Sequence, residues 1–238
     1  MICKIADFVV EFVNVSTALA RRFEPYVCDE APQASFSINS DDIEHIRTLS
    51  KNEMNPFLAE ATAFLDKFIR WLPQNNAIYF HASLIEAENQ GVAFTALSGT
   101  GKSTHTILWQ QLLGDKMRIV NGDKPIIRIF EDGSIYAYGT PWNGKEGYGT
   151  NDKTPLKHIC FIERAEHNSC EKTSTDQALK KIFNQILIPN DPISATYTLS
   201  VLDKVLKAVT VWNIKCNMDI SAAETAYNAI FKGESNET

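Results

Sequence analysis

Apolar positions along the chain recur with two periods, every second residue and every third or fourth, and these divide it into strand-like and helix-like runs. Residues 2–13, rich in β-branched and aromatic side chains, predict one strand, and 34–38 predict another. Between them Ser16 is placed to cap a short helix through residue 23, and 41–46 reads as a short helix or turn. Asn55 followed by Pro56 is an N-cap with proline at the first helical position. Apolar residues at 57, 61, 64, 65, 68 and 72 follow at helical spacing, so 56–72 predicts an amphipathic helix ended by Pro73, with Phe68 and Trp71 as core anchors. Next comes a strand over 77–85 that carries His81 and runs beside a strand over 91–95 through a turn at 88–91.

The second half keeps the same rhythm. A helix-like run reaches Leu113 and stops at Gly114, a C′ glycine, and a strand over 117–120 follows. Asp132-Gly133 between two alternating runs, 125–130 and 134–138, predicts a hairpin. The segment 139–150 is glycine-rich and aperiodic, and reads either as a lid or substrate loop with Lys145 as a phosphate contact or as a solvent loop. A buried strand over 156–162 ends in Glu163-Arg164, where the arginine meets a phosphate or pairs with a neighbouring acid. Ser174-x-x-Gln177 opens a helix that closes before Pro189, and Asp191-Pro192 opens another with 199, 202, 205, 206 and 209 on one face. A strand over 211–216, a last helix opened by Ser221-x-x-Glu224 and ending near Gly233, and a polar tail over 234–238 complete the chain.

Strands alternating with helices over 238 residues fit one α/β domain spanning 1–238, with an N-terminal subdomain over 1–73 and a core over 74–238. The formal net charge of -6 argues against a broad electrostatic grip on nucleic acid or membrane. Five cysteines without a C-x-x-C pair read as free thiols in a reducing compartment. The N-terminus lacks a basic, apolar leader, and no run approaches the ~20 apolar residues that span a bilayer. The expectation is a cytoplasmic protein.

The chemistry concentrates in Ala96-Leu-Ser-Gly-Thr-Gly-Lys-Ser103, preceded by the strand over 91–95 and followed by a helix. Glycines at 99 and 101 let successive N–H groups turn toward an anion, and the helix adds its positive end. Ser98, Gly99, Thr100, Gly101, Lys102, Ser103 and Thr104 are therefore the expected nucleotide-binding residues. Lys102 supplies charge to the outer phosphates, and the Ser103 hydroxyl ligates the magnesium that accompanies ATP. Ala96 stands where the pattern has glycine, which is tolerable while its backbone stays in the strand region. Asp123, closing the strand after the loop helix, is placed to ligate magnesium or accept a proton, or else is a plain turn residue of Asn121-Gly-Asp. His81, 21 residues before Lys102, is either a third site residue or a histidine satisfied within its sheet.

The loop resembles that of ATP-dependent phosphoenolpyruvate carboxykinases. Its setting, with His81 on the strand before and Asp123 after the loop helix, resembles the catalytic domain of HPr kinase/phosphorylase over roughly residues 75–165. That resemblance implies a mixed-sheet P-loop domain with flanking helices, ATP and Mg2+ as cofactors, and catalytic roles for His81, Lys102 and Asp123, with Ser103 and Asp123 as metal ligands. It implies a kinase acting on a hydroxyl, such as serine, of a small molecule or peptide, in a family whose members form homo-oligomers. Asn121-Gly-Asp123 stands where that family has paired acids, and its substrate-loop motif is not recognisable in 140–150. The alternative is a regulatory protein that binds ATP without turning it over.

Overall fold

In the computed structural model, residues 1–50, 53–97, 99–189 and 191–233 are described. Strands β1 (Ile2–Ile5) and β2 (Phe8–Val13) form a hairpin. Ala6 and Asp7, at φ 54° and 58°, reverse the chain where one strand was expected over 2–13. Both take the left-handed turn conformation without glycine, so the break left no composition signal. Helix α1 (Thr17–Phe23) is capped by Ser16, whose hydroxyl accepts from the Leu19 N–H, and β3 (Ala34–Ser37) joins β2 in parallel. Helix α2 (Ser40–Leu49) takes the helical alternative of the short helix or turn expected over 41–46 and extends it, opened by a reciprocal capping box of Asn39 and Asp42. Helix α3 (Pro56–Trp71) starts as the Asn55-Pro56 signal requires, with the Asn55 side chain accepting from Leu58 N–H at 2.8 Å.

The expected strand over 77–85 is two strands, β4 (Ala77–Tyr79) and β5 (Ser83–Ala87), separated at residues 80–82. Strand β5 turns through Glu88 and Asn89 into β6 (Gln90–Thr95), as expected, and the chain continues into α4 (Lys102–Leu113), stopped by Gly114 at φ 54°. Then come β7 (Met117–Asn121), β8 (Ile126–Ile129), β9 (Ile135–Tyr138), β10 (Lys153–Arg164) and β11 (Ser169–Lys172), the last of which sequence patterning missed. Helices α5 (Thr175–Ile182) and α6 (Pro192–Ala208), strand β12 (Thr210–Cys216) and helix α7 (Ser221–Tyr227) complete the order. Helix α5 ends earlier than expected. Leu199 is 44% exposed, and α6 instead buries 194, 198, 201, 202, 205 and 206. Ile220, not Ser221, occupies the cap of α7, which passes into a π turn over 228–232 before Gly233.

Nine strands form the main sheet in the order β4-β8-β9-β10-β6-β5-β7, with β12 beside β10 and β11 beside β12. The 12-residue β10 joins its halves: residues 153–155 run antiparallel to β9, while the rest runs parallel to β6 and β12. The fold is thus mixed α/β. Helices α5 and α6 cover one part through Ile182, Val201, Leu202 and Val205, packed in one core with Phe80, Leu84 and Phe161. Helices α4 and α7 pack Trp109, Ala222 and Ala226 in a core with Phe94, Cys160 and Trp212. A third core is aromatic, joining Phe12, Phe23, Phe64 and Phe68 to Ala77, Ile126, Tyr138 and Trp142 of the main sheet and its loops. All five cysteines are free, and no helix among the described residues is long and apolar enough to cross a membrane.

Candidate functional site

Strand β6 delivers the chain to a tight loop whose backbone decides the chemistry. Gly99 and Gly101 take φ 77° and 123°, and open space surrounds the position a Cβ would occupy at either. Gly101 is the N-cap of α4, and no side chain caps that helix, so its first N–H groups remain available to an anion. Ala96 is buried and avoids left-handed backbone, so glycine is unnecessary there. Thr100 N–H closes the turn on the Leu97 carbonyl at 3.1 Å. Arg164, at the end of β10, grips the loop from outside: Nε donates to the Thr100 carbonyl at 3.0 Å and Nη2 to that of Gly99 at 2.5 Å. Among the described residues no acid pairs with Arg164, the partner expected as one alternative; it holds two loop carbonyls instead. Among the described residues the Ser103 and Thr104 side chains take no hydrogen-bond partner. Ser98 lies outside the described residues.

Two breaks in the sheet lie side by side. Phe80 and Ala82 donate their N–H groups to the carbonyls of Pro125 and Asp123, both at 3.1 Å, so the β4–β5 break faces the β7–β8 break. His81 therefore sits in a gap between strands and not on a continuous strand. Its backbone is clamped, with N–H donating to Gln185 O at 2.7 Å and the carbonyl accepting from Thr95 Oγ1 at 2.9 Å. Its Nε2 lies 3.0 Å from Lys102 Nζ and 3.2 Å from Asp123 Oδ1. One tautomer lets this nitrogen donate to the carboxylate, and the other lets it accept from the lysine. Lys124 Nζ pairs with the other Asp123 oxygen. Lys102, His81, Asp123 and Lys124 thus form one contiguous polar chain beside the loop.

Burial pushes the Asp123 carboxyl upward, but the His81 hydrogen bond and the Lys124 charge outweigh it and hold the group well below the usual carboxylate range. Burial pulls Lys102 below the ordinary lysine value; Lys124 adds to that lowering, while Asp123 and Glu146 oppose it. Asn121, fully buried, sets the geometry: its Oδ1 accepts from the N–H groups of Asp123 and Lys124 at 3.0 and 2.7 Å. Asn121 Nδ2 in turn donates to the Thr140 carbonyl at 3.2 Å.

The glycine-rich segment folds over this acid. Gly122 N–H donates to the Tyr148 carbonyl at 2.8 Å, and a Cβ on Gly144 would stand 3.1 Å from the Asp123 Cβ. Gly144, at φ 80°, is therefore the point where the loop backbone lies on Asp123. Trp142 anchors the segment by donating its indole N–H to the Ala61 carbonyl of α3 at 2.8 Å. Arg22 of α1 donates to the Asn143 side chain and, at 2.8 Å, to the Gly144 carbonyl. Only 145–150 stay exposed, Lys145 among them, while Glu146 contributes a second carboxylate to the Lys102 environment.

Sequence reasoning singled out His81, Lys102 and Asp123, and the structure brings these three together. It overlooked Lys124, the positioning role of Asn121, and Gln185, whose contacts arise only from the two facing breaks and the end of α5. No three of the described His, Cys, Asp and Glu side chains form a metal cage. The donors present, the Asp123 carboxylate and the Ser103 hydroxyl, are hard oxygens that suit magnesium shared with phosphates, an ion that retains most of its own water.

No family model and no curated protein matches this chain. Among solved structures, it is similar to the Hpr(Ser) kinase/phosphatase from Coxiella burnetii, with a TM-score of 0.37 and 11% identity, covering 66% of this chain and 98% of that one.

Proposed function

We propose that the protein is an ATP- and magnesium-dependent kinase that transfers a phosphoryl group to a hydroxyl, built on a P-loop domain of the HPr kinase and phosphoenolpyruvate carboxykinase type. The supporting observation is the cluster of Lys102, His81, Asp123 and Lys124 at the mouth of an uncapped, glycine-hinged helix N-terminus. In this reading the loop N–H groups and Lys102 hold the nucleotide phosphates, and Ser103 and Asp123 hold magnesium. Bound magnesium neutralises charge on the phosphate oxygens. Phosphoryl transfer passes through a loose transition state, so the protein's work is positioning and charge stabilisation more than proton abstraction. Asp123, held ionised by the His81 hydrogen bond and the Lys124 charge, orients the acceptor hydroxyl and receives its proton late.

Calorimetry with ATP and magnesium tests the reading. Wild type binds and Lys102→Ala loses at least tenfold in affinity; equal binding by both removes the nucleotide assignment. A second reading, a regulatory protein that holds ATP without turnover, is favoured by one observation: both Asp123 oxygens are already paired with basic groups, which makes it a weak base. Nucleotide binding with no phosphoryl transfer to any alcohol would favour that second reading.

A further inference from the structure

A cleft of about 420 Å³, with His81 in its lining, opens between α2, α3 and residues 184–187. Its walls are apolar: Ile46, Leu65 and Ile69 from the two helices, and Ile186 and Leu187 opposite. Polar groups gather among its lining as His81, Lys124 and Gln185. Asp66, the carboxylate on the wall, is occupied by a two-pronged bond from Arg70 at 2.8 and 2.9 Å. A separate cleft of about 350 Å³, lined by Leu97, Thr100, Phe161, Arg164 and Lys180, lies on the loop side. Asn184 and Gln185 line both clefts and form the partition between them.

Gln185 carries an unmet demand. It is 4% exposed, and its Oε1 is buried with no hydrogen-bond partner among the described residues. A buried amide oxygen left unpaired is costly, and a ligand hydroxyl would satisfy it once the amide turns toward the cleft. Volume, apolar walls and a few convergent polar groups are the ordinary make-up of a small-molecule site. Among the described residues the wall offers no free acid for an ammonium group, so a zwitterion such as free serine would bury its charge unpaired.

Resting on the kinase reading above, we propose that this cleft is the acceptor site and that the acceptor is a neutral small-molecule alcohol with an apolar body. Its hydroxyl lies beside His81 and Lys124, where the turned Gln185 amide meets it, within reach of a phosphoryl group held at Lys102. In the transfer the alcohol oxygen forms the new P–O bond, the bond from the γ-phosphorus to the bridging oxygen breaks with its electrons leaving on ADP, and the hydroxyl proton passes to the Asp123 carboxylate.

The test uses the full chain and neutral alcohols of graded size, 1-butanol, 1-octanol and cyclohexylmethanol, with free serine and a serine-containing peptide alongside. Binding is read by nuclear magnetic resonance and transfer by labelled γ-phosphate from ATP. Wild type binds cyclohexylmethanol or 1-octanol at least tenfold more tightly than 1-butanol or serine and phosphorylates it. Ile69→Trp, which fills the cleft, lowers alcohol affinity at least tenfold; Leu49→Asp, at a 69% exposed lining position where folding is not at stake, lowers it severalfold. Alcohol binding that ignores both variants, a preference for serine or the peptide, or ATP binding without alcohol binding overturns the inference. Failure of the kinase reading shows separately, as ATP binding indifferent to Lys102→Ala.

Discussion

At the scale of single residues the site is a contest between burial and charge, and Asp123 shows which wins. Its carboxyl is depressed because His81 and Lys124 both favour the ionised form. Asp123→Asn removes both the carboxylate offered to magnesium and the group that receives the hydroxyl proton, so it weakens magnesium-dependent ATP binding and reduces phosphoryl transfer about 10²–10⁴-fold, the range for a lost acid-base group; retained transfer would remove Asp123 from the chemistry. Two other histidines set the pH limits of the fold. His105 Nε2 accepts from Trp109 Nε1 at 3.1 Å, and His158 Nδ1 accepts from Trp212 Nε1 at 3.2 Å while Nε2 meets Gln90 Oε1 at 2.9 Å. Protonation would turn each accepting nitrogen into a donor facing an indole N–H. Burial lowers both pKa values from 6.5 to about 4. A depressed folded pKa means that the unfolded chain binds protons first, so the stabilisation is present above pH 6.5 and lost as pH falls toward 4. Each histidine contributes on the order of 3 kcal/mol to that loss, by the usual conversion of pKa difference to free energy. The urea midpoint accordingly falls between pH 7 and pH 4.5, and His158→Gln, which cannot titrate, flattens the slope by about one proton.

At the scale of elements, Arg164 joins the end of β10 to the glycine loop through the carbonyls of Gly99 and Thr100. Arg164→Ala releases those carbonyls while leaving the exposed strand end otherwise intact, so ATP affinity falls about tenfold through lost pre-organisation and stability changes by about 1 kcal/mol or less. Faster amide exchange at Gly99 and Thr100 is the accompanying sign; unchanged exchange and affinity would make Arg164 a bystander. The loop itself was legible from sequence because glycines, a lysine and a helix start carry local signals, as did the Asn55-Pro56 cap and the Asp132-Gly133 hairpin. The break at 80–82 was not, since Phe80 and Ala82 stay fully buried and keep the apolar run continuous while the chain passes between halves of a sheet. The turn at Ala6-Asp7 hid for a similar reason, lacking glycine. Lys124 and Gln185 could not be read at all, because their roles depend on which distant segments meet.

Over the whole molecule, the aromatic N-terminal layer reaches the site by two routes of different kind. Trp142 is 6% exposed and packs its ring within 6.2 Å of the Phe12, Phe23 and Phe68 centroids, so it is at once a core residue and the anchor of the loop over Asp123. Arg22 instead touches that loop through hydrogen bonds to Asn143 and Gly144 and is no member of the apolar core. Removing each should separate stability from positioning. Trp142→Ala costs about 3–5 kcal/mol, the usual range for a large aromatic in a packed interior, and lowers the urea midpoint accordingly. Arg22→Ala costs about 1 kcal/mol, comparable with its hydrogen bonds, yet frees the 143–150 segment from α1. If the N-terminal layer serves the site by holding this segment on Asp123, Arg22→Ala reduces phosphoryl transfer about tenfold under conditions where it is fully folded, with ATP affinity unchanged. Transfer at the wild-type rate in Arg22→Ala would instead make the layer a stabilising cover, with Trp142 alone sufficient to seat the loop.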